Sequence, residues 1–246
     1  VEIIRNQKEL DLVRNPTYTI LIMLMLTTQV YPAEPVVVLA YATAVWGPYC
    51  RDTENACLAL LKELSPQSLC PLAIHIGDEF YTSATEPLIN HYQFQYIPAP
   101  VIDGSYDVKR GIDYETLQPL VEARLAEQRA TALSVDGKIS PNGETIDVSI
   151  TISPEKPLPA KLTLIVFLRE DNLFYGGATQ QFVCRDLAIQ EVTVTEDLTP
   201  ITIQFSFPLN PSWNTENLSV GAFLQDMDKP IEEYGIYQGA WDGNLR

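Results

Sequence analysis

The hydrophobic pattern of this 246-residue chain changes character near residue 130, and that change constrains the fold more than any other feature. After it, the sequence reads as strand after strand, separated by Pro, Gly and Asp turns. In Thr145–Ile152, Ile146, Val148, Ile150 and Ile152 alternate with polar residues, and Ile201, Ile203, Phe205 and Phe207 do the same in Ile201–Phe207. Strict alternation marks a sheet with one face buried and one face wet. Further strands are expected at Ala132–Ile139, Lys161–Leu168, Gln180–Val194, Leu218–Gln225 and Glu233–Trp241, with Pro141-Asn142-Gly143 as a hairpin turn. About seven short strands in this length suit an immunoglobulin-like sandwich.

Before residue 130, continuous apolar runs alternate with helical spacing. Val36–Ala44 and Leu72–Ile76 read as strands covered on both faces. Arg51–Leu64 carries Cys57, Leu58, Leu60, Leu61 and Leu64 at helical spacing and stops at Ser65-Pro66. Thr85–Tyr92 and Tyr114–Gln128 are further helices, the second with Leu117, Leu120, Val121 and Leu125 inward. Val101–Ile102 is a short strand closed by the Asp103-Gly104 turn. These alternations give an α/β arrangement over residues 1–129, with an N-terminal extension at 1–35, followed by an all-β domain over 130–246.

The extension holds a short strand at Val1–Ile4, a helix over Gln7–Val13 capped by Asn6, and the uncharged stretch Asn15–Ala33. Its apolar centre, Tyr18–Leu26, is short for a membrane span, which needs ~20 apolar residues. A buried core strand, a membrane-associated anchor and an unremoved signal segment all stay open for residues 17–30; the flank before it lacks the net positive charge of a signal.

Charge narrows the function classes. The chain carries 32 Asp+Glu against 16 Lys+Arg, a net charge of −16, spread over both halves. Such a surface opposes nucleic-acid binding, which requires clustered Lys and Arg, and opposes docking on anionic lipid. With only 2 histidines, a His-rich metal centre is not available.

The segment Trp46-Gly47-Pro48-Tyr49-Cys50 follows a buried strand and opens a helix. A thiol at a helix N-terminus sits where the helix dipole and free N–H groups favour a thiolate. This segment resembles the active site of the thioredoxin superfamily, Trp-Cys-X-X-Cys at the same strand-to-helix junction. Aligned on Trp46, Gly47 stands at the nucleophilic cysteine position and Cys50 at the resolving one. Ile97-Pro98 before the strand Ala99–Ile102 is similar to the cis-proline that faces this loop in such proteins, and Pro98 is the candidate for a cis bond.

A thioredoxin-like domain followed by a β-sandwich resembles the outer-membrane-protein-28-related family of secreted bacterial proteins. Leu39–Cys50, Ala73–Asp78, Ile97–Gly104, Val183–Arg185 and Glu216–Asp226 carry the resemblance. It implies an extracytoplasmic location, periplasmic or in the outer cell envelope, often with a lipid anchor. No cysteine follows the apolar stretch as an attachment site for one.

Dithiol exchange needs one thiolate to attack and a second to resolve the mixed disulfide, so Cys50 without a cysteine at 47 cannot run that cycle alone. Cys57, seven residues further along the helix, is ~10 Å away, too far for a bridge to Cys50. Cys57 and Cys70 could meet, and Cys184 could be free or bridged; small buried hydrophobes are the plainer reading of all four. His75, before Gly77-Asp78, could act with Cys50 and Asp78 as nucleophile, base and orienter, or could share a copper ion with Cys50. A hydrogen-bonded strand-end histidine is the plainer alternative, as is a packing role for His91. Asp226, Asp228, Glu232, Glu233 and Glu170-Asp171 form acidic loops that read as solvated rather than as a Ca²⁺ site. Asn217-Leu218-Ser219 has only the form of a glycosylation sequon.

The expected protein is therefore a non-catalytic interaction or accessory subunit of a cell-envelope assembly. It would use no cofactor or metal and bind protein partners in a groove around Trp46, Tyr49, Ile97 and Pro98. Its assembly could be multi-subunit or membrane-associated. A monothiol oxidoreductase acting through Cys50, and copper carriage through Cys50 and His75, are the alternatives.

Overall fold

Seven strands form one mixed sheet that contains elements from both sides of residue 130. The structure is a computed structural model, and it describes residues 33–65, 67–107, 112–243 and 245. The expectations for Val1–Ile4, the Asn6-capped helix and the apolar stretch at 17–30 lie outside the described residues.

The first part runs β1 (Val37–Thr43), α1 (Cys50–Glu63), β2 (Leu69–His75), α2 (Glu86–Tyr92), β3 (Ala99–Ile102) and α3 (Tyr114–Leu125). β1 and β2 are parallel, joined by α1, and β3 returns antiparallel against β1. Every residue of β1 is buried, because both of its faces are covered. Val38, Ala40 and Ala42 join Leu88 and Tyr92 of α2, while Val37, Leu39 and Tyr41 join Ala56, Cys57 and Leu60 of α1 and Leu117 and Val121 of α3. Removing Leu60 to alanine would cost about 2–5 kcal/mol by the usual scale for a buried leucine.

The second part contains β4 (Thr131–Ile139), β5 (Thr145–Pro154), β6 (Lys161–Glu170), β7 (Leu173–Tyr175), β8 (Ala178–Gln180), β9 (Val183–Thr193), β10 (Ile201–Pro208), β11 (Leu218–Gln225) and β12 (Ile236–Asp242). β10, β5 and β4 form an antiparallel sheet. It packs on the antiparallel half of the large sheet, ordered β12-β11-β6-β9. The alternating Ile146, Val148, Ile150 and Ile152 face Leu164, Val166, Leu168, Ala222 and Leu224 across the sandwich.

The two parts meet at β9 and β2, which run parallel through one registered pair, Ala73 with Val183. The Ala73 N–H donates to Phe182 O at 2.8 Å. One apolar cluster includes Val38 and Leu72 together with Phe167, Cys184 and Phe223, so core and sheet both run across residue 130. Pro32–Arg246 forms one compact unit. The segment expected as one strand from Gln180 to Val194 breaks at Gln181-Phe182, where Phe182 adopts a left-handed φ of 61°. Its first residue, Gln180, instead ends β8 in a separate hairpin, β7–β8.

Candidate functional site

The loop from β1 to α1 is a succession of tight turns. Gly47 N–H donates to Ala44 O at 3.0 Å, and Cys50 N–H donates to Gly47 O at 3.2 Å. Cys50 is the first helical residue, and its Sγ accepts from Ala44 N–H at 3.4 Å. The thiol is buried, whereas Trp46 and Tyr49 are 63% and 62% exposed. Trp46 is fixed at its edge, its Nε1–H donating to Gly77 O. A β-carbon on Gly47 would overlap the Cys50 sulfur, so residue 47 is the position that faces this thiol.

The Ile97–Pro98 bond is cis. Ala42 pairs with Ala99, which carries Ile97-Pro98 to the strand end at Thr43–Ala44, beside the Cys50 loop. The four residues expected to form a groove thus come from one end of the sheet. Trp46 and Tyr49 face solvent, Ile97 is half-buried and Pro98 is buried.

A cavity of about 470 Å³ opens between this loop and the β7–β8 hairpin, with Cys50 and Glu54 on one side and Tyr175, Gly176 and Gln180 on the other. The hairpin is held over the loop by three contacts. Arg51 donates to Thr179 O at 3.3 Å, Tyr175 donates to the Glu79 carboxylate, and the Tyr175 and Phe80 rings meet edge to face at 5.8 Å. At the hairpin base, Asn172 N–H donates to Gln181 Oε1, Gln181 Nε2 donates back to Asn172 Oδ1, and Phe182 N–H donates to Asp171 Oδ1. Sequence reasoning missed this hairpin. Its signal was Gly176-Gly177, two adjacent positive-φ residues of the kind a two-residue hairpin turn demands.

Glu54, one turn along α1 from Cys50, is 6% exposed and lines the same cavity. Burial pushes its carboxyl above the ordinary range, and the Gln181 N–H at 3.0 Å, Arg51 and His75 do not offset that burial.

His75 ends β2 in a buried position, with Nδ1 2.8 Å from Asp78 Oδ2. Asp78 also accepts the N–H of Val45 at 2.8 Å and of Phe80 at 2.9 Å, so one carboxylate ties together the loops after β1 and β2. Burial alone would raise the Asp78 carboxyl. The hydrogen bond and charge of His75 with those two N–H groups outweigh burial and hold it below the usual range. His75 is therefore engaged as a strand-end histidine. Among the described residues no group of three or more His, Cys, Asp or Glu side chains is placed to hold a metal ion.

All four cysteines are free and buried. Cys57 lies in the layer under α1, and Cys70 lies on the opposite face of β2, which is why the Cys57–Cys70 bridge does not form. His91 packs on Tyr92 at 4.7 Å, as expected. The Glu170-Asp171 loop is a correction to its solvated reading. Glu170 is 2% exposed, accepts Asn214 N–H and lies 3.2 Å from Arg185, while Asp171 holds the hairpin base. Asp226 accepts the N–H of Asp228 and shapes a turn.

A larger cavity of about 630 Å³ lies away from Cys50, beside Arg124, Arg129 and Lys229. Sequence reasoning missed the cluster there: Asp103 accepts from Arg124 Nε at 2.8 Å and Arg129 at 2.7 Å, and Lys229 donates to Tyr234 O. The cavity's cations are thus already engaged by the fold.

No protein-family model matches the sequence. No curated protein matches it either. Among solved structures, HBP35 of Porphyromonas gingivalis superposes with a TM-score of 0.72 over 86% of this chain and 76% of that one, at 13% identity. A β-glucosidase 3B from Thermotoga neapolitana, in complex with α-D-glucose, covers 46% of this chain and 16% of its own at 15% identity; its TM-score of 0.27 carries no argument. Likeness at 13% identity speaks for the fold alone. The chain is a thioredoxin-like α/β layer continued into an antiparallel β-sandwich, an architecture it shares with HBP35.

Proposed function

We propose that this chain is a non-catalytic, thioredoxin-like interaction module of the cell envelope, which binds an extended segment of a partner protein at the Cys50 end of the sheet. The observation that carries the reading is Gly47. It occupies the position facing the Cys50 sulfur and supplies no second thiol to resolve a mixed disulfide. Exposed Trp46 and Tyr49 beside the cavity offer the aromatic surface on which partner segments dock. The extracytoplasmic setting is supported by the sequence resemblance, and no helix among the described residues is long and apolar enough to cross a membrane.

The test is turnover of a disulfide-bonded protein substrate by the purified chain in the presence of a dithiol or glutathione. The rate is expected to equal the uncatalysed background and to be unchanged in Cys50→Ser. Turnover that disappears in Cys50→Ser would replace this reading with a monothiol oxidoreductase.

A further inference from the structure

We infer that the cavity beside Cys50 receives the cationic side chain, lysine or arginine, of the extended partner segment. This rests on the binding role proposed above and names the chemistry of the occupant.

Two carboxylates line the cavity at different depths. Glu54 is at the buried floor and Glu79 is at the exposed rim. The fold leaves the Glu54 charge undercompensated. The groups acting on it are Gln181 N–H, Arg51 on its own helix, His75 at the end of β2 and Asp171 after β6, and burial still prevails over them. Arg51 is exposed and donates to Thr179 O on the hairpin, so its charge is spent at the solvent boundary, where water and salt screen it. A partner ammonium or guanidinium would supply the missing counter-charge inside the cavity.

The mouth suits the same occupant. Trp46 and Tyr175 both line it, and each is fixed: Trp46 through Gly77 O, Tyr175 through Glu79 and Phe80. Aromatic rings held in place attract a cation passing between them, Trp most strongly. An anionic occupant would meet two carboxylates, against one lining cation, Arg51, whose guanidinium already donates to Thr179 O. An apolar one would bury Glu54 further with nothing to pair it. At longer range the chain's net charge of −16 draws cationic segments toward the molecule.

The experiment is affinity selection of a random-sequence peptide library on the immobilised full chain, with dissociation constants then measured for the selected peptides. The expected outcome is enrichment of Lys or Arg at one fixed position. Replacing that residue with glutamine should weaken binding about tenfold or more, as for a desolvated ion pair. In Glu54→Gln the charge preference should collapse, and in Glu79→Gln, which keeps an oxygen acceptor for Tyr175, it should weaken. Selected peptides with no cationic position, bound equally well by Glu54→Gln and Glu79→Gln, would overturn this inference while leaving the binding role intact. A library from which nothing is selected would overturn both.

Discussion

Cys50 Sγ stands 2.3 Å from the point where a β-carbon on Gly47 would lie. That carbon would also be 3.3 Å from the Cys50 β-carbon. The two β-carbons of a disulfide are ~3.5–4.5 Å apart, close to this spacing, so a bridge forms once the Cys50 sulfur, which now crowds the place of the new side chain, turns aside. Gly47→Cys is expected to lose two titratable thiols on mild oxidation, to regain them on reduction, and to show dithiol-exchange activity above that of the parent. A Gly47→Cys chain that keeps both thiols free under oxidant would show that residue 47 does not face Cys50 in solution.

The parts of this fold that were legible in the sequence are those whose burial pattern is local. β1 is apolar on both faces and reads as a covered strand; β5 alternates strictly and reads as half-buried. The resemblance around Pro98 likewise anticipated the cis Ile97–Pro98 bond before β3. What stayed hidden depends on distant partners. The junction of β2 with β9 is one backbone pair, Ala73 with Val183, and backbone pairing leaves no side-chain signature. Nothing local in α1 marks Glu54 as buried, because the Gln181 N–H that meets it comes from the other half of the chain.

Thiol reactivity separates the cysteines. Burial pushes the Cys70 thiol up to about 12 and raises Cys57 and Cys184 as well. At neutral pH these three are expected to resist alkylation in the native chain and to react in denaturant, as mapped by mass spectrometry. Rapid native labelling of Cys57, Cys70 or Cys184 would mean that the core around β2 opens far more often than its packing implies.

Two carboxylates at the site pull the pH dependence of stability in opposite directions. Asp78 is held below its ordinary 3.8, so its contribution is present above that value and is lost as pH falls through its folded value. Glu54 is raised above its ordinary 4.5, so its contribution is full below 4.5 and is lost as pH rises through its folded value. In urea titrations across acidic to neutral pH, Asp78→Asn should be destabilised near neutrality and approach the parent on acidification. Glu54→Gln should gain on the parent as pH rises above 4.5. A Glu54→Gln difference that is flat with pH would show that the Glu54 carboxyl is solvated.

Asp103 is the polar anchor that crosses residue 130. It sits just after β3 with a left-handed φ of 46° and is fully buried. Oδ1 accepts Val38 N–H at 2.9 Å at the start of β1, Oδ2 accepts both Arg124 of α3 and Arg129, and its carbonyl accepts Ile236 N–H of β12 at 2.9 Å. Glu127 binds Arg124 from the half-exposed side. Removing the carboxylate charge would leave two buried guanidinium groups short of an acceptor, which is the costly way to break such a cluster. Asp103→Asn is expected to lower unfolding stability by about 3–5 kcal/mol, read as a drop in urea midpoint at unchanged slope. Replacing Arg124 and Arg129 with methionine in the same chain should recover part of the loss, because no unpaired charge is then buried. A loss under about 1 kcal/mol for Asp103→Asn would place the cluster with solvated surface pairs and remove the Asp103 carboxylate as the link between β1, α3 and Arg129.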